Sequence, residues 1–141
     1  ELARDNTFSG ILAHQAALAE LPSSANKKQV WDEILGDGLA TEVRKAKISG
    51  FGSYRKSALL EEFVDQYFAV ITDVWGNKSY EVAEAIVEGL YPAYLVKQST
   101  LDKSDAWLNG PGKSAPDTLR RLVAEGRDGV ARALRVQAKD V

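Results

Sequence analysis

Apolar residues return along this chain at three- and four-residue intervals, the spacing that gathers them on one face of an α-helix rather than on alternate faces of a strand. From Thr7 to Glu20 the stripe is Phe8, Ile11, Leu12, Ala16 and Ala19, with Asn6 placed to cap its start. Leu21-Pro22-Ser23-Ser24 breaks the pattern, because proline disfavours a helical residue before it and serine oxygens accept from the free N–H groups of the next helix. The second helix, from near Ala25, carries Val30, Trp31, Ile34 and Leu35 and is expected to end at Gly36 in a left-handed turn. Thr41 is positioned to cap a short third helix through Ile48, which Ser49-Gly50-Phe51-Gly52 should stop.

The strongest apolar stretch lies between Ala58 and Trp75. Leu60, Val64, Tyr67, Ile71 and Trp75 form one stripe, and Leu59, Phe63, Val70 and Val74 widen it until one continuous helix must touch two neighbours. Gly76-Asn77 ends it, and Ser79 caps a fifth helix whose Ala83, Ile86, Val87 and Leu90 face inward before Pro92. Tyr91 to Val96 has the composition of a few extended residues. Thr100 is the expected cap of a short sixth helix with Leu101 and Trp107, followed by a loop at Asn109-Gly110-Pro111-Gly112.

Pro116 suits the first turn of a last helix, in which Leu119, Leu122, Val123, Val130, Ala133 and Leu134 mark the core side as far as Lys139. Gly126 and Gly129 lie within it, each costing about 1 kcal/mol against alanine, which predicts close packing or a kink there. No stretch alternates over a useful length, so the pattern predicts an all-α fold of about seven helices with no sheet. Helical hairpins recur roughly every 35 to 40 residues, the scale of a curved array of antiparallel hairpins, an α-solenoid of the HEAT or armadillo kind.

Composition narrows the function. A chain of 141 residues, 45% hydrophobic and 27% charged, suits a single domain over 1–141 with one core. With 18 basic against 20 acidic residues the net charge is −2, so no positive field exists to neutralise phosphates, and neither nucleic acid nor a membrane surface is an expected partner. No apolar run nears the roughly 20 residues of a membrane span and the N-terminus lacks a signal-peptide layout. The absence of cysteine fits a reducing compartment, and the chain reads as cytoplasmic. Methionine is also absent and the chain opens with Glu1-Leu2-Ala3-Arg4, which points to a piece of a longer protein, the alternative being a small protein with a trimmed initiator.

Chemistry is sparse. The helical zinc-peptidase pattern His-Glu-x-x-His is missing, and the one histidine, His14, has no second ligand or base beside it, so it is expected at the surface or in helix packing. Glu61, Glu62 and Asp65 resemble a carboxylate cluster but fit a solvated helix face better than an acid–base pair. Gly110-Pro111-Gly112-Lys113-Ser114 resembles the end of a phosphate loop, yet Trp107 stands where an earlier glycine belongs and a helix, not a strand, precedes it. Arg120, Arg121, Arg127, Arg132 and Arg135 spread around the last helix among Glu125 and Asp128, as solvated or ion-paired groups, with a docking surface or carboxylate recognition as the alternative. Trp31, Trp75 and Trp107 are expected in the core. No catalytic, cofactor-binding or metal-ligating residue is assigned.

From residue 24 onward the helical text resembles the C-terminal domain of bacterial aminopeptidase N enzymes. The matching stretches are Val30-Trp31, Tyr67-Phe68 leading to Val74-Trp75, Ser79 with Glu81-Val82-Ala83, Gly89-Leu90-Tyr91-Pro92 and Trp107-Leu108, and in the tail Leu119-Arg120-Arg121-Leu122, Glu125-Gly126-Arg127-Asp128 and Arg132-Ala133-Leu134. The resemblance implies a zinc metallo-aminopeptidase parent, with its Gly-x-Met-Glu-Asn and His-Glu-x-x-His motifs in an upstream catalytic domain. It also implies a non-catalytic role for this chain in enclosing the chamber that receives peptide substrate. The expected partners are that upstream domain and the peptide, with self-association of the isolated piece through the exposed first helix. The rival expectations are an independent α-solenoid interaction module and, more remotely, an autonomous small enzyme.

Overall fold

The structure, a computed structural model, describes residues 2–52 and 57–139 and, within them, all side chains except those of residues 2–6 and 57. Among the described residues there are eight helices and no strand: α1 (Leu2–Glu20), α2 (Ser24–Leu35), α3 (Thr41–Phe51), α4 (Ser57–Leu60), α5 (Phe63–Asn77), α6 (Tyr80–Gly89), α7 (Gln98–Asn109) and α8 (Asp117–Lys139). The all-α expectation holds. The chain folds as two compact units, residues 1–60 and 61–141.

In the first unit, Ser23 caps α2 by accepting the Asn26 backbone N–H at 3.0 Å, and the Asn26 amide reaches back to the Leu18 carbonyl at 2.8 Å. That pair of bonds folds α2 back against the end of α1. The start of α1 at Leu2 puts Asn6 inside the helix instead of at its cap, and the Asn6 side chain lies outside the described ones. Gly36 closes α2 by donating to the Asp32 and Glu33 carbonyls, but its φ of −77° is not left-handed; the positive φ, 90°, belongs to Gly38. Ala40, not Thr41, occupies the cap of α3 and makes no side-chain bond.

Gly50 corrects the sequence reading most sharply. It does not stop α3 but stands inside it, where an added Cβ would lie 2.0 Å from the Ala16 carbonyl oxygen and 2.9 Å from the Ala19 Cβ. The missing side chain lets α1 and α3 approach backbone to backbone, which is why the helix carries glycine despite its poor propensity. Around this contact Ala19, Val30, Trp31, Ile34 and Phe51 are buried, with the Trp31 and Phe51 rings 5.6 Å apart.

The helix expected from Ala58 to Trp75 is two helices, parted by a turn at Glu61 and Glu62 in which the Val64 N–H bonds the Glu61 carbonyl at 3.2 Å. Leu60, Val64 and Tyr67 keep helical phase across the break and are all buried, and periodicity registers the buried face without registering whether backbone bonds run through. Eight helices therefore replace about seven. In the second unit α5 lies on α6 and α7, and α8 on α6 and α7. Phe63, Val64, Tyr67, Ile71 and Val74 of α5 meet Ala83, Ile86, Val87 and Leu90 of the α6 segment in the core. Ser79 caps α6 as expected, accepting the Val82 N–H at 3.4 Å.

Residues 91–96 turn where extension was expected, through bonds from Ala93 to Tyr91 and from Leu95 to the Pro92 carbonyl. Thr100 stands in the first turn of α7, its hydroxyl donating to the Leu95 carbonyl at 2.7 Å, while Lys97 holds the cap position without a side-chain bond. Pro116 directly precedes α8, whose buried line is Leu119, Val123, Val130 and Ala131; Leu122, Ala133 and Leu134 are half-buried. Trp31 and Trp107 are core residues, whereas Trp75 is half-buried with its ring 5.5 Å from exposed Tyr80.

The two glycines of α8 separate. An added Cβ at Gly126 would meet the Tyr91 ring at 2.7 Å, while at Gly129 it would meet nothing within 4 Å. Opposite outcomes are expected for one substitution type. Gly50→Ala should lower unfolding stability by about 3 kcal/mol, since the opposing atom is backbone and cannot yield by rotating. Gly129→Ala should raise it by up to about 1 kcal/mol through helix propensity. Urea unfolding midpoints of the two variants against the parent chain provide the check.

Candidate functional site

The residues singled out by sequence do not converge. His14 is exposed on α1. Among the described residues no group of three or more metal-binding side chains is gathered, and a lone exposed imidazole does not fit a zinc site, which takes about three protein ligands and an open position. Glu61 pairs with Lys97, and Asp65 with Lys103 at 2.9 Å, so each carboxylate faces an ammonium at the surface.

The segment 110–114 is a loop folded over an indole. Gly112 donates to the Trp107 carbonyl at 2.7 Å, and the space a Cβ would need is filled by the Trp107 ring at 2.5 Å. Arg120 pins this loop by donating to the carbonyls of Leu108 at 2.8 Å and Gly112 at 2.7 Å. Arg127 forms a two-point fork with Asp105 at 3.0 and 3.2 Å, and Arg121 lies 3.7 Å from Glu125 in the exposed i,i+4 manner. Arg132 and Arg135 are exposed.

Three basic side chains that sequence reading did not single out are buried. Lys27 is fully enclosed, its Nζ donating to the carbonyls of Ala19 at 2.7 Å and Phe51 at 3.1 Å and standing 5.4 Å from the Phe51 ring centre. Those carbonyls close α1 and α3, so one ammonium serves two negative helix ends. Arg44 does the same for α2, donating from Nε to the Ile34 carbonyl at 2.9 Å and from a terminal nitrogen to that of Gly36 at 2.8 Å. Lys47 reaches the Gln15 amide oxygen at 2.9 Å and the Glu33 carboxylate at 3.4 Å.

A signal for them existed. Lys27 shares the four-residue-repeat face of Val30, Trp31 and Ile34, and Arg44 and Lys47 share that of Ile48 and Phe51, so cations stood in line with core positions. Burial lowers the Lys27 pKa from 10.5, opposed by the nearby Glu20 carboxylate.

Enclosed phenols are among the other perturbed groups. Tyr67 donates to the Val87 carbonyl at 2.6 Å, and burial drives its pKa well above 10.0. The Tyr91 hydroxyl lies 2.7 Å from Ser104 Oγ, which in turn donates to the Thr100 carbonyl at 2.8 Å. Burial raises Tyr91 too, against the opposing Ser104 bond, and raises Tyr94. Tyr67 and Tyr91 serve as neutral hydrogen-bonding groups near neutral pH. A concavity of about 320 Å³ in the second unit is lined by Asp65, Phe68, Ala69, Lys103, Ala106, Trp107 and Pro111. It offers two aromatic surfaces and one ion pair, and neither a nucleophile nor a poised acid–base group.

The model of the ERAP1-like C-terminal domain family matches residues 1–132. Over 99% of its length the chain is 42% identical to Aminopeptidase N of Streptomyces lividans, and it spans 16% of that relative. No helix among the described residues is long and apolar enough to cross a membrane.

Two tests come from the buried polar groups. Lys27→Met leaves the Ala19 and Phe51 carbonyls without their shared donor and should cost about 2 to 4 kcal/mol in urea unfolding, against about 0.5 kcal/mol or less for Lys28→Met at the exposed neighbouring position. Stability should also fall above about pH 10, because unfolded phenols release protons before Tyr67, Tyr91 and Tyr94 do in the folded chain, so the stabilisation present below that pH is lost above it. Lys27 acts in the opposite sense: the cost of burying its charge is relieved as pH climbs from its lowered pKa toward 10.5. Urea midpoints between about pH 8 and about pH 11, with phenolate absorbance followed alongside, should show ionisation of these tyrosines arriving with unfolding.

Proposed function

This chain belongs to the ERAP1-like C-terminal domain family, and we propose that it is the non-catalytic C-terminal domain of a zinc-dependent aminopeptidase that removes N-terminal residues from peptides. Its work is to help enclose the chamber in which the catalytic part of the same polypeptide receives its peptide. The observation that carries this reading is the identity of 42% to Aminopeptidase N along essentially the whole chain, combined with coverage of only 16% of that relative. A segment so small beside its relative leaves most of the polypeptide to hold the zinc and its ligands. The donors in this chain, one exposed histidine and no cysteine, support that division. A curved array of helical hairpins is the corresponding architecture, supported by the short-looped helices of each unit. A cytoplasmic location belongs to the same reading, supported by the absence of cysteine.

The full-length polypeptide should hydrolyse an aminoacyl reporter, and a zinc chelator should abolish that turnover. Removing this domain should change the preference for peptide length more than the hydrolysis of the small reporter, because a wall restricts entry of large substrates most. Equal effects on short and long peptides would reject the chamber role. Chelator-insensitive turnover would reject the zinc assignment.

A further inference from the structure

α1 buries one face on α3 through Ala16 and Ala19, yet beside that face it leaves large apolar side chains in water. Phe8 is 46% exposed, Ile11 48% and Leu18 38%, at intervals of three and seven residues that keep them on one side of the helix. Apolar residues on this spacing form ridges that another helix accepts in its grooves. α3 packs on the Ala16 and Ala19 face through Gly50, so Ile11 and Leu18, turned away from that contact around the helix, stay open to water.

We propose that this seam of α1 is the docking surface for an amphipathic helix of the same polypeptide lying N-terminal to residue 1. The occupant follows from two observations. The chain belongs to a C-terminal domain family and spans 16% of a full-length relative, so the polypeptide available to cover the seam is long and precedes it. Short connections place consecutive helices side by side and antiparallel, which brings a preceding helix alongside α1 rather than against a distant surface. The inference rests on the reading of this chain as the C-terminal domain of a larger polypeptide.

Cysteine labelling of the full-length protein tests it, since this chain contributes no native thiol. Ile11→Cys and Leu18→Cys should react with an alkylating reagent about tenfold more slowly than Ala13→Cys, an exposed position on the far side of α1, when labelling is read peptide by peptide. A benzoylphenylalanine placed at position 8 should cross-link on illumination to a preceding segment of the same polypeptide. Equal rates at the three cysteines would overturn the proposal, as would cross-linking to a second copy of the protein. Aminoacyl hydrolysis by the same preparations separates this outcome from the functional reading. Turnover with an open seam defeats the docking alone, and a covered seam without turnover defeats the peptidase assignment alone.

Discussion

Each helix ends in carbonyl groups that its own backbone cannot satisfy, and the packing of the first unit depends on how those groups are met. Lys27 joins the ends of α1 and α3 through Ala19 and Phe51, and Arg44 closes α2 through Ile34 and Gly36. In the second unit Arg120 does this for α7 through Leu108. At each of these ends a long cationic side chain from a neighbouring helix supplies donors beyond those of the connecting backbone. Positive charge at the C-terminal end of a helix also meets the favourable end of its dipole. Breaking such a contact leaves a buried charge and buried acceptors together, so each is far costlier to lose than an exposed ion pair.

Once Lys27 draws the ends of α1 and α3 together, the two helices run parallel and close, and their contact has room only for small residues. Gly50 against Ala16 is the result. The second unit repeats the logic with rings: Gly126 lies under Tyr91 and Gly112 under Trp107. Tyr91 in turn is held by Ser104, and Arg127 clamps the neighbouring Asp105, so α7 and α8 are joined by a polar pair beside an apolar contact. Gly129, with open space around it, takes no part in this.

The groups with unusual environments, Lys27, Tyr67 and Tyr91, are engaged in holding helices to one another. Among the described residues the surface carboxylates Glu61 and Asp65 face the ammonium groups of Lys97 and Lys103. In the proposed function such a domain is a wall for chemistry conducted elsewhere in the polypeptide, and the docking proposed on α1 is where that wall would continue.

Sequence pattern alone determined the helical class, the cap at Ser79 and the inward face of α6, because each rests on short-range spacing or on one residue's intrinsic preference, whereas Gly126 and Gly129 read alike and only the Tyr91 ring separates them. The resemblance in helix-packing text was also sufficient to indicate the family. Only the tertiary structure decided the break between α4 and α5, since Leu60, Val64 and Tyr67 keep phase through it. It alone decided the role of Gly50, whose Gly-rich neighbourhood has the composition of a turn until α1 is laid against it. Lys27 and Lys28 are adjacent and chemically identical, yet one is enclosed and the other exposed. What distinguishes them is the pair of carbonyls that two other helices bring to Lys27, and acceptors delivered from residues 8 and 24 positions away leave no mark on the local pattern.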